Sequence, residues 1–406
     1  MDRKRFEARL NLARHFFRHT AHRLFSHDDK DGVGLQQFFS NYRADNIFEI
    51  EDYERERYPS FARCIQCGIC QPYCVMFRAI GYLEFPGPMV VASTLSRVLA
   101  ELGTTSGVIY NCTLCRLCET TCPENAPISE MARFMRKYIY KYEPELTPGP
   151  LKQMCSLVKK RSAIFDEAAP GVEHEKKSAE YVLFLGCHSR FRQKERTQAA
   201  FSMLEKLSVD FTTIDEVCCG APLGASGCGE TAELARTNIE RILEKNTAKV
   251  ITLCPHCLVS FYEDREYAAR IEAIHIAELL PQLHPAHAGA GIVAYHDPCM
   301  LGRACGVYDP PRQALTWAGA KLVEMEAARE KSFCCGNWGG LGQSSRACAE
   351  TIAVRRLEDA RRAGADTLLT ECPWCLEIFQ SASLPEGKPR IASVIEYLQN
   401  PEGIIR

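Results

Sequence analysis

The sequence predicts an α/β protein in which a small helical, cysteine-rich domain precedes two tandem α/β domains related by a pseudo-twofold duplication. Two observations predict this architecture. Two cysteine runs of identical spacing lie within residues 64–122, and a longer pattern of strand, paired cysteines, helix, strand and Cys-x-x-Cys occurs twice in the remainder. A chain of 406 residues is long enough for two or three domains that each bury a core.

The amino-acid composition limits the classes of function that the protein can have. The 49 Lys and Arg residues nearly balance the 51 Asp and Glu residues, so nothing in the total charge suggests a nucleic-acid partner. No apolar run reaches the roughly 18 residues of a membrane span, and the N-terminus MDRKRFEARL lacks the features of a secretory signal. We therefore expect a cytoplasmic protein. Reducing compartments disfavour structural disulfides, so 22 cysteines there indicate metal or redox chemistry.

Residues 1–58 are predicted to form a basic amphipathic extension without cysteine. Its apolar residues recur at helical spacing, with Arg and Lys on much of the other face. These apolar residues are Phe6, Leu10, Ala13, Phe17 and Leu24. Three interpretations stay open: a helix on an anionic membrane surface, a helix on a partner subunit, or an ordinary helix packed on the next domain.

The positions of the cysteines predict the remaining domain boundaries. The first cysteine-rich domain is expected over residues 59–145, closed by a helix that begins at Pro127-Ile128-Ser129-Glu130. Residues 146–178 have low periodicity and begin with proline-rich sequence, which predicts a linker. Two α/β domains are predicted at 179–288 and 289–406, because two segments of the first recur in the second. YVLFLGC (181–187) corresponds to IVAYHDPC (292–299), and KVITLCPHC (249–257) corresponds to TLLTECPWC (367–375).

The first cysteine constellation repeats the spacing C-x2-C-x2-C-x3-C. Zinc sites commonly pair two C-x2-C motifs, and a third cysteine at the same interval in each run fits them poorly. The pattern resembles two-cluster bacterial ferredoxins, although Val75 replaces the usual proline after the first run. The resemblance implies two cubane [4Fe–4S] clusters with crossed ligands. One would take Cys64, Cys67, Cys70 and Cys122, and the other Cys112, Cys115, Cys118 and Cys74.

The second constellation has five cysteines in each copy, one more than a cube needs, which indicates an unusual cluster. Gly220 and Gly336 permit the turn that lets each adjacent cysteine pair reach one site. The first set is Cys187, Cys218, Cys219, Cys254 and Cys257, and the second is Cys299, Cys334, Cys335, Cys372 and Cys375.

This pattern resembles the CCG domain of heterodisulfide reductases, and the domain order resembles their fused, membrane-linked form over about residues 60–400. Iron–sulfur subunits of sulfite-reduction membrane complexes, anaerobic glycerol-3-phosphate dehydrogenase and glycolate oxidase are similar. The resemblance implies that each set holds a noncubane [4Fe–4S] cluster and that the pair reduces or forms a disulfide. It also implies a flavoprotein or b-type cytochrome partner, and membrane association through that partner. Both sets are complete here, which favours the disulfide-active branch.

Three residues beside the clusters are candidate catalytic residues. His256 and His296 could protonate the thiolates that a split disulfide leaves, or could tune a cluster by hydrogen bonding. Arg303 could bind an anionic substrate group or form a surface salt bridge. Asp297 is interpreted as a helix cap or turn former, and Met300 stands where the family often has histidine.

Four cysteines lie outside every pattern and are expected to be mostly ordinary buried thiols: Cys155, Cys228, Cys305 and Cys348. The roles of Cys228 and Cys305 stay open, because both are close in sequence to ligand cysteines and glycines. The favoured function is the catalytic subunit of a heterodisulfide-reductase-like complex. The alternative is an electron relay between a flavin dehydrogenase and a quinone-reactive membrane partner. The chain has no strand–GxGxxG–helix unit, so any flavin is expected in a partner.

Overall fold

The computed structural model describes residues 6, 10, 12–18, 20–21, 33–42, 50–93, 102–168, 170–171, 174–229, 231–283, 291–384 and 387–405. The chain divides into two compact units, Met1–Glu56 and Arg57–Arg406. In the first unit, residues 12–18 are helical, a helix spans Val33–Asn41, and the helix Asp52–Phe61 begins. Phe6, Leu10 and Phe17 are exposed. Leu24 lies outside the described residues.

The cysteine-rich domain is helical, as the sequence predicts. Its longest helix, Ile128–Tyr142, is the predicted closing helix, and it buries Met131, Met135, Tyr138 and Ile139 on one face. The Glu119 carboxylate accepts a 2.6 Å hydrogen bond from the Ser129 N–H, which places a negative charge at the positive end of this helix. The shorter helices are Val75–Ile80, Pro88–Ser93, Leu102–Ile109 and Leu117–Thr120.

The segment predicted as a linker contains ordered structure. A 3₁₀ turn at Pro144–Leu146 leads into the helix Gly149–Arg161. This helix buries Leu151, Met154, Cys155 and Val158 at helical spacing. The sequence did not predict this helix because three neighbouring prolines obscured its periodicity. Pro148 and Pro150 lie just before and at the start of the helix, where proline is tolerated.

Two parallel four-stranded sheets follow, with the same strand order in each, β2-β1-β3-β4 and β6-β5-β7-β8. The duplication and the α/β class are therefore confirmed. The strands are β1 Tyr181–Phe184, β2 Phe211–Thr212, β3 Lys249–Thr252, β4 Glu272–His275, β5 Ile292–Tyr295, β6 Lys321–Val323, β7 Thr367–Leu369 and β8 Arg390–Ala392. Strands β1, β3, β5 and β7 are those predicted from the sequence.

Helices connect the strands of each sheet. In the first repeat they are Cys187–Arg192, Lys194–Lys206, Ala221–Ser226, Ala232–Leu243, Pro255–Glu263 and Arg265–Ala268, with a 3₁₀ helix at Ile276–Leu283. In the second they are Asp309–Trp317, Leu341–Ser344, Arg346–Arg362, Pro373–Ser381, Val394–Gln399 and Pro401–Ile405, with a π-helix at Met300–Ala304 and a 3₁₀ turn at Arg329–Lys331.

The two repeats share one hydrophobic core. Leu183 and Ile251 from the first sheet belong to the same buried cluster as Val293 and Leu369 from the second. Burial of this apolar surface from water therefore fixes the repeats against each other. Among the described residues, no helix is both long and apolar enough to cross a membrane.

Candidate iron–sulfur site

The two ferredoxin-type runs fold as equivalent loops. Gln66 and Leu114, each two residues after the first cysteine of its run, have φ of 59° and 54°. Gly68 and Arg116, each four residues after it, have φ of 76° and 63°. Such left-handed residues turn successive N–H groups toward one point, which forms an anion-binding concavity. The Leu114 N–H donates to Cys112 Sγ at 3.4 Å, in keeping with this arrangement.

The cysteines of the two runs group in the crossed manner that the ferredoxin resemblance implies. Burial raises the pKa of the Cys70 thiol to about 11, with further increases from Cys64, Cys122 and Cys67. The fourth cysteine of the second run therefore lies among the first three cysteines of the first run.

The reciprocal group has the complementary composition. Burial raises the pKa of Cys118 well above its usual value, and Cys115, Cys112 and Cys74 raise it further. The pKa of Cys74 is raised in the same way by burial and then by Cys115 and Cys112. That each group holds a cubane cluster remains a prediction.

The CCG cysteines lie at the carboxyl ends of paired central strands. Cys187 follows β1 and Cys254 follows β3, while Cys299 and Cys372 occupy the same places after β5 and β7. In the order β2-β1-β3 the strand order reverses between β1 and β3, which is where open parallel sheets form their binding crevice. Gly186 (φ 77°) brings the two ends together: a Cβ there would lie 3.0 Å from Cys257 Sγ.

Both five-cysteine sets are brought together, with the same internal connections. In the first set, neighbouring thiols act on one another in the order Cys187–Cys218–Cys219–Cys257–Cys254. In the second set the order is Cys299–Cys334–Cys335–Cys375–Cys372, and Cys375 Sγ donates to Cys335 Sγ at 3.2 Å. The second cysteine of each adjacent pair, Cys219 or Cys335, has a lowered pKa because of the two thiols beside it.

These sets fit an iron–sulfur group. Sulfur atoms this close repel one another as thiolates, so a cation is needed to hold them deprotonated, which bound iron would supply. A buried polar atom without a hydrogen-bond partner also fits a bound iron–sulfur group. His296 Nε2 is buried without a hydrogen bond, and the imidazole of His296 offers a ring nitrogen within 4.8 Å of the sulfur atoms of Cys335 and Cys375.

Buried rings lie between the two sets. His256, from Cys254-x-x-Cys257, stacks on Trp338 with ring centroids 3.6 Å apart. His188, beside Cys187, contacts Trp374 of the second Cys-x-x-Cys at 4.0 Å, and the two tryptophans are 5.3 Å apart. The sequence interpretation missed His188, Trp338 and Trp374. Their adjacency to ligand cysteines in both repeats was the available signal.

Both candidate histidines are buried and neutral at neutral pH. Burial lowers the pKa of His256 to about 3, and it also lowers the pKa of His296. His296 Nδ1 accepts from Arg356 Nε at 3.2 Å, so its proton is on Nε2. This geometry favours the hydrogen-bonding role over the proton-donor role for His296.

The other two charged candidates differ from expectation. Asp297 forms a buried ion pair with Arg312, at 2.6 Å, and accepts from the Arg329 N–H at 2.8 Å, the first N–H of the 3₁₀ turn Arg329–Lys331, so it does more than cap a helix or form a turn. Arg303 is not in a surface salt bridge. Its Nε donates to the Cys115 carbonyl at 2.6 Å and its Nη1 to the Ser332 carbonyl at 2.6 Å. Arg303 therefore lies where the ferredoxin-type domain meets the second set.

A pocket of about 280 Å³ reaches the first set, with Cys187 and Cys218 in its wall. Arg190, which donates to the Asp215 carboxylate at 2.9 Å, and Arg241 line it. The half-buried Glu216 accepts from the N–H groups of Leu185 and Gly186, and desolvation of its carboxyl group raises its pKa to about 8.

The cysteines outside the patterns divide into two kinds. Cys305 and Cys348 are free thiols. Cys155 and Cys228 form a disulfide with their Cα atoms 6.0 Å apart, which contradicts the expectation of a buried thiol at Cys155 and gives the role that was left open for Cys228. Their separation of 73 residues gave no local signal of this pairing.

Comparisons with known proteins agree with the domain order. Residues 60–126 match the family described as 4Fe-4S dicluster domain, and residues 181–262 and 293–380 match the CCG family, described as Cysteine-rich domain. A subunit of the dihydromethanophenazine:CoB--CoM heterodisulfide reductase of Methanosarcina acetivorans is 28% identical over 375 residues, which cover 82% of this chain and 90% of that subunit.

Two further similarities extend the comparison. The EtfAB:quinone oxidoreductase of Syntrophomonas wolfei is 25% identical over 428 residues, covering 87% of this chain and 60% of that protein. A crystal structure of a hypothetical protein from Helicobacter pylori superposes with a TM-score of 0.57 at 11% identity, over 92% of this chain and 77% of the other, which shows a shared fold.

The cysteine runs, the duplicated sheets and both family matches occur in one order along the chain. The two relatives with assigned activities are named as a reductase and an oxidoreductase. The chain therefore carries a 4Fe-4S dicluster domain followed by two CCG domains, and over most of its length it is similar to a subunit of heterodisulfide reductase.

Proposed function

We propose that this protein is the iron–sulfur catalytic subunit of a heterodisulfide-reductase-like complex. Electrons would pass through two cubane clusters to two noncubane clusters that reduce or form a disulfide. The observation that carries the proposal is the pocket that opens onto Cys187 and Cys218 of a complete five-cysteine set. A subunit that only relays electrons needs no such opening, whereas a disulfide must bring its sulfur atoms to the ligand sphere.

A direct route into the CCG pair supports the proposal. Cys115 of the second ferredoxin-type run lies beside Cys334 of the second set, and this contact lowers the pKa of Cys115 to about 5. The two sets are also close, since Cys254 of the first raises the pKa of Cys372 in the second. The second ferredoxin-type run therefore contacts the second set, the second set lies close to the first, and the first set lines the pocket.

The chain's own residues would position the substrate and exclude water. When bound, the clusters supply the electrons: a disulfide takes up two electrons and two protons and leaves as two thiols. Asp215 and Glu216 place carboxyl groups in the pocket wall, whereas His256 is enclosed among aromatic rings. We therefore propose that the product thiols receive their protons through this pocket rather than from His256.

An electron relay without its own substrate is the second candidate, and the buried rings favour it. His256, Trp338, Trp374 and His188 fill the space between the sets, so a disulfide cannot lie directly between them without displacing a ring. In that case the partners would be a flavin dehydrogenase and a quinone-reactive membrane subunit. The Syntrophomonas relative is named EtfAB:quinone oxidoreductase, and that name likewise includes a quinone.

Partners and location follow from either function. We propose a complex with a flavoprotein, a b-type cytochrome subunit, or both, and a cytoplasmic protein that reaches the membrane through that partner. The exposed Phe6, Leu10 and Phe17 would contact the partner or the membrane surface.

The deciding experiment uses the full chain, purified and reduced without oxygen. A panel of disulfides is added while cluster oxidation is followed by absorbance and electron paramagnetic resonance. Turnover and a new paramagnetic signal are expected with at least one disulfide. Cys254→Ser and Cys372→Ser should abolish both, because each removes one thiolate of a five-thiolate set. Cys348→Ser, a free thiol outside every set, is the control and should change neither.

A pocket-filling variant separates the two candidates. Ala163 lines the pocket, so Ala163→Trp should block disulfide turnover while the spectra of all clusters stay unchanged. Ala347→Trp, on the exposed face of the helix Arg346–Arg362, is the matched control. If no disulfide perturbs the spectra of a fully loaded protein, the relay is the better assignment. If Ala163→Trp turns over disulfides normally, the disulfide reacts elsewhere and the pocket no longer supports the proposal.

A further inference from the structure

Arg136 is a completely buried cation next to the second ferredoxin-type run. Its guanidinium donates to main-chain carbonyls: to Cys112 at 2.6 Å, Ile109 at 2.8 Å, Ala225 at 2.6 Å and Gly339 at 2.7 Å. In the part of the chain that the structure describes, no carboxylate forms a salt bridge with it. A buried charge without a counter-charge costs several kcal/mol, so an anion is expected nearby.

Arg303 lies beside the same run. It donates to the Cys115 carbonyl at 2.6 Å, and the thiols that act on its charge are Cys115, Cys299 and Cys334. Its Nη2 is buried without a hydrogen-bond partner. The two guanidiniums thus hold the carbonyls of two successive cysteines, Cys112 and Cys115, of one predicted cluster.

The first run has a different surrounding. The residues that act on the charge of Cys70 are Cys64, Cys122 and Cys67, and none of these is a cation. Cys67 is exposed, so water also stabilises negative charge at the predicted first cluster, and the guanidinium groups at the second must outweigh that effect. The two cubane sites therefore share a loop geometry, but the second has two guanidinium groups on its cysteine carbonyls. It also has the Glu119 carboxyl group beside Cys118, and burial raises the pKa of Glu119.

We propose that Arg136 and Arg303 raise the reduction potential of the cluster held by Cys112, Cys115, Cys118 and Cys74 above that of the other cubane. Reduction adds one negative charge, and nearby cations stabilise the more negative state. One electron then moves from the first cubane, which is oxidised, to the second, which is reduced, and continues through the Cys115–Cys334 contact. The proposal rests on the proposed clusters and holds for either candidate function.

The test is a potentiometric titration of the loaded full chain, followed by electron paramagnetic resonance. Cys67→Ser perturbs the first cubane and so identifies its signal. At a fixed potential, Arg303→Gln should lower the reduced-to-oxidised ratio of the second cubane about tenfold, which is about 59 mV for one electron. Arg303→Lys, which keeps the charge, should restore most of the ratio.

Two further variants make the result decisive. Arg136→Lys keeps the buried charge and loses the forked hydrogen bonds, so the potential should stay near wild type if the protein folds. Arg355→Gln removes an exposed arginine that likewise donates to a carbonyl, that of Arg78, and should change neither signal. Equal shifts of both cubanes, or none with Arg303→Gln, would overturn the proposal. Absence of disulfide turnover would not, because the readout is a potential.

Discussion

His275 illustrates how burial controls a single titratable side chain in this fold. It ends β4, is fully buried, and accepts from the Ala277 N–H at Nδ1 over 3.2 Å. Its Nε2 has no partner, and burial lowers its pKa to about 3. No cysteine contributes to this shift, so His275 reports on the sheet rather than on the clusters.

This histidine predicts an acid dependence of stability. Below pH 6.5 the unfolded chain binds a proton at His275 that the folded chain does not bind until about pH 3, so stability falls as pH decreases. His275→Asn keeps a side-chain acceptor for the Ala277 N–H without titrating. Between about pH 7.5 and about pH 5.5 the wild type should lose about 1 kcal/mol relative to the variant, measured by denaturant unfolding. Parallel pH profiles would contradict this assignment.

Gly339 forms the contact between the second CCG repeat and the second ferredoxin-type loop. Its φ is 68°, and a Cβ there would lie 2.6 Å from the Cys112 carbonyl oxygen and 2.7 Å from the Thr113 carbonyl carbon. Its carbonyl also accepts from Arg136 Nη1. Backbone therefore packs on backbone at this point, which only glycine permits.

We predict that Gly339→Ala destabilises the protein by about 3 kcal/mol, because it adds a steric clash to left-handed strain. Gly364→Ala is the control, since Gly364 has φ of 79° and an added Cβ would meet nothing within 4 Å, and it should cost only about 1 kcal/mol. Denaturant unfolding monitored by circular dichroism measures both. Equal losses in the two variants would show that conformational strain alone acts at Gly339.

For the molecule as a whole, the four predicted cysteine groups fix a metal content. Four clusters of four irons imply about sixteen iron and about sixteen acid-labile sulfide per chain, measured on anaerobically reconstituted protein. A value near eight, with spectra of cubanes only, would remove the noncubane pair. Zinc in place of iron would contradict every cluster assignment.

The N-terminal unit gives a separate prediction. Arg14 and Arg18 lie on the helical stretch 12–18, so reversing both charges should reduce co-purification with a membrane or partner fraction and leave the iron content unchanged. Charge reversal at Lys159 and Lys160, in the last turn of another helix, is the control. Unchanged fractionation across a range of salt would favour a plain packing helix.

Local patterning and cysteine spacing were enough to predict the α/β class, the duplication, the closing helix and the similarity to heterodisulfide reductase subunits. They also predicted four of the eight strands in the part of the chain that the structure describes. Each of these depends on residues that lie close together in the sequence or recur at a fixed interval. The ligand sets and catalytic residues proposed from the same patterns stay predictions. The apolar residues of the helix Gly149–Arg161 have helical spacing, so this helix could also have been predicted, but the prolines around its start obscured the pattern.

Which distant groups meet could be read only from the folded chain. The Cys155–Cys228 disulfide, the Asp297–Arg312 ion pair, the rings between the sets and the carbonyls around Arg136 all join residues that no short-range pattern connects. The physical reason is that burial acts through packing of the whole chain. Desolvation makes a polar group depend on a partner and shifts its pKa, and desolvation is a property of three-dimensional surroundings.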